Sequence, residues 1–274
     1  MVDVPESLRE HARAWLAAPG DVVAARDAAT VVLLRDGRAT TGEGAGLEVY
    51  LLRRVSTMAF AAGMHVFPGG AVDSRDAAPE IAWAGPSAAT WAAALGCDES
   101  LARALVCAAV RETFEESGVL LAGPSPAEVV ADTTSQDWER DRLALLDRSV
   151  SMAELLARRG LVLRSDLLRA WAHWITPEFE PRRYDTRFLV AALPAGQLAR
   201  DVSGEADRAT WLPVRTAISE HEAGRVAMLP PTIEALRDLA SLPDVASVLA
   251  TTAAVRPRMP RLVEQAGEMS LVIE

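Results

Sequence analysis

A chain of 274 residues, half of them apolar, has room for one large domain or two small ones and buries a core without covalent staples. Its 38 acidic residues outnumber 28 basic ones, and the formal charge of −10 argues against a general nucleic-acid binder, which needs a basic surface. All 28 basic residues are arginine, so a small polyanion is still accommodated: arginines cluster locally, and their planar fork matches phosphate oxygens.

The N-terminal stretch from Pro5 to Ala18 alternates charges with apolar positions and reads as an amphipathic helix, not a signal peptide, whose middle would be free of charge. No segment reaches the ~18 uninterrupted apolar residues of a membrane span. Ala28 to Arg35 and Leu47 to Val55 read as strands around a Gly/Thr loop. Met64 to Phe67 is a third strand, stopped by Pro68-Gly69-Gly70. Residues 73–97 lack a clean period and read as an insertion with one short helix. Glu99 to Ser117 is the clearest helix, with Asp98 as N-cap and Gly118 just past its end. Cys107 lies in its apolar run and reads as a buried structural thiol; with Cys97 it makes no CxxC pair, which fits a reducing cytoplasm. Val119 to Ala122 restarts as a strand, and residues 126–160 read as helical. Leu167 to Ile175, Arg187 to Leu193 and Trp211 to Val214 return to the sheet, and Pro231 to Leu239 is a last helix. Strands and helices mix without strict alternation, so the expected class is α+β with a mixed sheet.

The informative segment is Arg111-Glu112-Thr113-Phe114-Glu115-Glu116-Ser117-Gly118-Val119. On a helix, Glu112, Glu115 and Glu116 share one face, while Val106, Val110, Thr113, Phe114 and Ser117 turn inward. Three carboxylates near a helix C-terminus repel each other and the helix dipole. A divalent cation resolves that repulsion, and Mg²⁺ prefers oxygen ligands while keeping sites for phosphate. Arg111, next to Glu112 and four residues before Glu115, is placed to fix a carboxylate rotamer.

Phe67-Pro68-Gly69-Gly70 followed by that segment resembles the Nudix box, Gly-x5-Glu-x7-Arg-Glu-U-x-Glu-Glu-x-Gly-U with U apolar. Gly70 matches the first glycine, Asp73 stands where many members have an acid, and Thr113 departs at the first U position. An insertion of roughly 25 residues separates Gly70 from the helix, and the residue eight before Arg111 is Arg103, so the first glutamate is missing in register. Gly63 to Gly70, Ala109 to Glu112, Trp174 to Pro177, Arg182 to Phe188, Trp211 to Pro213 and Leu229 to Thr232 are similar to a branch typified by a peroxisomal coenzyme A diphosphatase, nudix motif 19.

The resemblance implies a Nudix α/β/α sandwich over residues 28–240, flanked by an N-terminal helical segment (1–27) and a C-terminal extension (241–274). It implies Mg²⁺ or Mn²⁺ held by Glu112, Glu115 and Glu116, with Arg111 in the catalytic set and Glu205, in the loop before Trp211, as a candidate general base beside the box glutamates. The implied reaction cuts a diphosphate linkage in a nucleoside-diphosphate derivative, with coenzyme A or acyl-coenzyme A giving 3′,5′-ADP and 4′-phosphopantetheine. Candidate substrate contacts are Gly69, Gly70, Arg54, Arg182 and Arg183, the two last as a phosphate clamp. An upstream coenzyme A pattern, LLTxRSx3Rx3Gx3FPGG, is kept at Leu51, Arg54 and Gly63 and lost at Tyr50, Leu52, Val55 and Ala59. Rival readings are a Nudix hydrolase of ADP-ribose, dinucleotides or nucleotide sugars, and a Nudix-fold module that binds without turnover. The expected partner is the small-molecule substrate, with no nucleic acid and no membrane, and the family habit adds a homodimer. Leu271 to Glu274 is not a peroxisomal address of the Ser-Lys-Leu kind, so a cytoplasmic location is expected.

Overall fold

The apolar run Val31 to Leu34 has no polar alternation because both of its faces are covered: Val31 and Leu33 pack into one hydrophobic cluster, Val32 and Leu34 into another. That run is the centre of the first strand. The structure, a computed structural model, describes residues 6–18, 20–37, 46–55, 63–202, 206–252, 255–265 and 268–273. The chain starts with helix α1 (Glu6–Ala17), then strands β1 (Arg26–Asp36), β2 (Leu47–Arg54), β3 (His65–Val66), β4 (Gly69–Ala71) and β5 (Trp83–Ala84). Helices α2 (Ala88–Leu95) and α3 (Glu99–Ser117) follow, then β6 (Ala122–Gly123), α4 (Gln136–Leu146), α5 (Met152–Arg159) and β7 (Val162–Arg164). The second half holds β8 (Leu168–Ile175), β9 (Tyr184–Ala192), β10 (Ala206–Pro213), α6 (Val214–Glu222), α7 (Pro230–Leu239) and α8 (Val245–Ala250), then β11 (Pro257–Arg258), β12 (Pro260–Gln265) and β13 (Glu268–Ile273).

The main sheet runs β10-β2-β1-β9-β8-β11, with β3 added to β2 and β4 to β1. β1 and β9 are parallel over nine residue pairs, from Arg26↔Tyr184 to Leu34↔Ala192, and β11 is parallel to β8, while β2 and β4 pair antiparallel with β1, and β8 antiparallel with β9. The sheet is mixed, as expected. α2, α3 and α5 cover one face through residues such as Trp91, Leu105, Val110, Phe114 and Leu155. α6, α7 and α8 cover the other through Ala217, Ile233, Leu236 and Val248. Each of the buried Val, Leu, Ile and Phe side chains contributes roughly 1.5–3 kcal/mol by leaving water.

α3 begins and ends where its sequence signals place it. The Asp98 carboxylate accepts from Leu101 N–H at 2.8 Å, and Gly118 adopts φ 73° to close the helix. Thr113, the polar residue at an apolar position of the box, is buried because its hydroxyl donates to the Ala109 carbonyl one turn back at 2.7 Å.

Several elements differ from expectation. Residues 119–121 form no ladder; instead the Gln197 side chain accepts from Leu120 N–H and donates to Leu120 O, replacing the neighbouring strand. Of residues 126–160 only 136–146 and 152–159 are helical, because Ser135 and Ser151 each stand as extended residues that start a new helix. The insertion holds its one short α-helix, α2, plus a 3-10 turn at Ser74–Ala77 and β5. β10 is longer than Trp211 to Val214, pairing along β2 from Arg54 to Glu48. Past residue 240, α8 supplies Val245 and Val248 to the core and β11 joins β8. Among the described residues no helix is long and apolar enough to cross a membrane.

Candidate active site

β1 has two antiparallel partners along one edge. Its C-terminal end pairs with β2 (Leu34↔Val49 to Asp36↔Leu47), and its N-terminal half pairs with β4 (Ala28↔Ala71 to Thr30↔Gly69). β2 parts from β1 and continues against β3, with Leu52 opposite Val66. The Phe67-Pro68 turn fills the wedge, and Val31 N–H donates to the Pro68 carbonyl at 2.8 Å. This fork carries Gly69 and Gly70 up to α3.

Both glycines are demanded by close approach. A Cβ on Gly69 would stand 2.5 Å from the Thr30 hydroxyl and 2.7 Å from the Ala29 carbonyl. A Cβ on Gly70 would stand 2.5 Å from Glu112 Oε1. The bare backbone gives a bond in return: Gly69 N–H donates to Glu116 Oε2 at 2.9 Å.

Arg111 organises the remaining charge. Its Nη1 donates to Glu112 Oε1 at 2.7 Å and to Glu115 Oε1 at 3.2 Å, and its Nη2 donates to the Ala71 carbonyl at 3.0 Å. Its other side forks onto Asp76, with Nε at 3.0 Å from Oδ1 and Nη2 at 2.9 Å from Oδ2. Asp76 is 1% exposed and also accepts from Asp73 N–H and from the Cys107 thiol. Burial works against the Arg111 charge, yet the Asp76 bond and the neighbouring glutamates hold its pKa above the ordinary value. Burial pushes the Glu112 carboxyl up to about 7, helped by the charge of Glu115, and burial raises Glu115 as well. The C-terminal half of α3 receives a second buried cation: Arg142 on α4 donates to the Glu115 carbonyl at 2.7 Å, which favours the negative end of the helix dipole.

These groups open on one cleft of about 590 Å³. One part is charged, with Glu112, Glu115, Glu116, Arg111 and Asp73; another is apolar, with Trp174, Phe188, Leu229 and Pro231. Arg54, Arg182, Gly69 and Gly70 also line it. Arg183 does not belong to the clamp expected of it. It is buried, and its guanidinium donates to the carbonyls of Thr176, Pro177 and Val23, bracing the turn between β8 and β9. Glu205 lies outside the described residues.

Among the described residues no three His, Cys, Asp or Glu side chains stand preassembled as a metal ligand set. Arg111 takes one oxygen each of Glu112 and Glu115, and their second oxygens accept no hydrogen bond from a described residue. Crowded, desolvated, all-oxygen donors beside an open cleft are the chemistry that a hard divalent cation satisfies, so the residues fit Mg²⁺ or Mn²⁺.

Asp76 is the residue that sequence reasoning missed. Counting back eight from Arg111 finds Arg103, and the insertion makes that count meaningless. Counting forward from Gly70 across five residues reaches Asp76, which supplies an acid to Arg111 after all. Arg75 was also passed over; it pairs with Asp73 at 3.0 Å and holds that carboxyl well below the usual range.

The family model of the NUDT19 Nudix domain matches residues 97–239. A Caenorhabditis elegans protein named as a nudix hydrolase is 29% identical over 72% of this chain and 57% of its own length. A Gallus gallus protein named acyl-coenzyme A diphosphatase NUDT19 is 29% identical over 53% of this chain and 48% of its own length. The chain thus spans about half the length of these curated relatives. The crystal structure of a NUDIX hydrolase from Alicyclobacillus acidocaldarius superposes with a TM-score of 0.71 at 29% identity, covering 85% of this chain and 98% of that one.

Proposed function

The chain belongs to the Nudix hydrolases, in the NUDT19 Nudix domain family, and from that membership we propose that it hydrolyses the diphosphate linkage of coenzyme A or acyl-coenzyme A to 3′,5′-ADP and a 4′-phosphopantetheine product. The observation that carries the reading is the meeting of Gly69, Gly70, Arg111, Glu112, Glu115 and Glu116 in a single cleft. The substrate class draws support from the name of the Gallus gallus relative and from the apolar wall at Trp174, Phe188 and Leu229, which suits a pantetheine or acyl arm.

Glu112, Glu115 and Glu116 would hold Mg²⁺ or Mn²⁺, which when bound neutralises diphosphate charge and makes a water more acidic. The protein's own part is positioning. Arg111 fixes Glu112 and Glu115, Gly69 N–H fixes Glu116, and Asp76 keeps Arg111 from turning into the cleft. In the reaction a water oxygen bonds to one phosphorus, the bond from that phosphorus to the bridging oxygen breaks, and a carboxylate, from the box or Glu205, takes the water's proton.

The test is a panel of coenzyme A, acyl-coenzyme A, ADP-ribose, a dinucleotide and a nucleotide sugar with Mg²⁺ or Mn²⁺, with products resolved by chromatography. Coenzyme A compounds are cut, the activity disappears with a chelator, and added metal restores it. Cleavage of the other compounds alone overturns the substrate class, and binding without turnover overturns the enzymatic reading.

A further inference from the structure

Four helices end on a glycine in the left-handed region: Gly96 after α2, Gly118 after α3, Gly160 after α5 and Gly224 just past the cap of α6, with φ of 66°, 73°, 63° and 73°. α4 ends differently. One residue past its Asp147 cap, Arg148 takes the same conformation at φ 62°, and it is the one non-glycine with positive φ among the described residues. A side chain is strained there and glycine is the usual occupant, so keeping an arginine needs a reason.

The surroundings point to the cleft. Arg75 Nη1 donates to the Arg148 carbonyl at 3.1 Å. Arg75 is itself gripped by Asp73, whose carboxylate caps the 3-10 turn that carries Asp76. The backbone of Arg148 is therefore tied to the scaffold that orients Arg111. Its guanidinium is exposed and lines the cleft, and no hydrogen bond or ion pair joins it to a described residue. Neighbouring Arg75, Arg111 and Arg142 are all paired. Its charge still reaches Glu115, where it helps to hold that carboxyl down against burial.

We propose that Arg148 is a substrate-binding residue that grips a non-bridging oxygen of the substrate diphosphate from the turn between α4 and α5. The inference rests on the diphosphate reading above and adds a contact that the box does not contain. An uncommitted guanidinium beside crowded carboxylates is matched by an incoming phosphate, which it binds by charge-assisted hydrogen bonds.

The experiment compares the full-length protein with Arg148→Gly and Arg148→Lys. Calorimetry reads the binding of ADP and of inorganic pyrophosphate in Mg²⁺, and thermal unfolding is followed in parallel. Arg148→Gly weakens both ligands by on the order of tenfold to a hundredfold, the value of a bond to a charged group, while its Tm stays level or rises because the strain is gone. Arg148→Lys falls between the two. Equal binding by wild type and Arg148→Gly overturns the clamp and leaves the diphosphate reading standing. Lost binding together with a lowered Tm in Arg148→Gly also overturns it, because the residue is then structural. A wild-type protein that binds neither ligand overturns the diphosphate reading and the clamp together.

Discussion

The backbone N–H of Gly69 and the Oε2 of Glu116 lie 2.9 Å apart, joined by a hydrogen bond across 47 positions of sequence. The bond fastens the strand half of the motif to its helix half, and it orients one carboxylate of the charged cluster. Glu116→Gln keeps the length of the side chain and an oxygen able to accept from Gly69, but removes the negative charge. Diphosphatase activity falls by orders of magnitude at saturating Mg²⁺ while the thermal unfolding midpoint stays close to wild type. Unchanged turnover would remove Glu116 from the metal set.

Buried Asp76 pairs with half-buried Arg111, which shares its charge with Glu112 and Glu115 as well. Asp76→Ala takes one of three carboxylates from the guanidinium and costs about 1–3 kcal/mol in chemical denaturation, the range for a lost hydrogen-bond partner of a charged group. Asp76→Asn keeps the shape and loses less. A double-mutant cycle with Arg111→Ala separates the pair from its surroundings; independent, additive losses would show that the two do not act together.

Gly70→Ala places a methyl group where Glu112 Oε1 now sits. The carboxylate has to move, because the rest of the contact is Glu112 itself. The variant loses about 1–3 kcal/mol of stability, as for other overpacked sites, and its activity drops further than that loss explains. Gly224→Ala is the matched control, since nothing lies within 4 Å of its Cβ position; its φ of 73° costs stability without touching the cleft. Equal activity losses in the two variants would sink the steric argument.

Acid stability carries a signature of the Arg164–Asp166 pair, bonded at 2.8 and 2.7 Å. The Arg164 hydrogen bonds hold the Asp166 carboxyl below its ordinary value of 3.8. A depressed folded-state pKa contributes stability that is complete above the unfolded value and is lost as pH falls through the folded one. Asp166→Asn therefore lowers the Tm at neutral pH and flattens its decline on the acid side of pH 4. Parallel Tm-against-pH curves for wild type and variant would show that the pair contributes nothing to this dependence.

Much of this molecule was legible in its sequence where short-range chemistry decides. α3 shows its ends through Asp98 and Gly118 because capping uses neighbouring atoms. The inward set of Val106, Val110 and Phe114 follows from helical period alone. What escaped depends on distant partners. Residues 119–121 look like a strand, yet a side chain 77 positions away completes their bonding. Arg182 and Arg183 are adjacent and alike in sequence; only the fold sends one to the cleft and the other to three backbone carbonyls. Arg148 carried no signal, because a left-handed arginine is invisible until the helix before it has an end. Asp76 was hidden by a count made from the wrong side of the insertion.

That last pairing has a consequence for how the protein can vary. Asp76 stands at the base of the inserted segment on one side and Arg111 on the other, with their side chains clasped. Whatever the chain does between 77 and 97, it must leave and re-enter through that clasp. Inside that clasp α2 still lays Trp91 and Leu95 on the core, so changes of length are tolerated in the turns on either side of the helix and not in the helix that roofs the sheet.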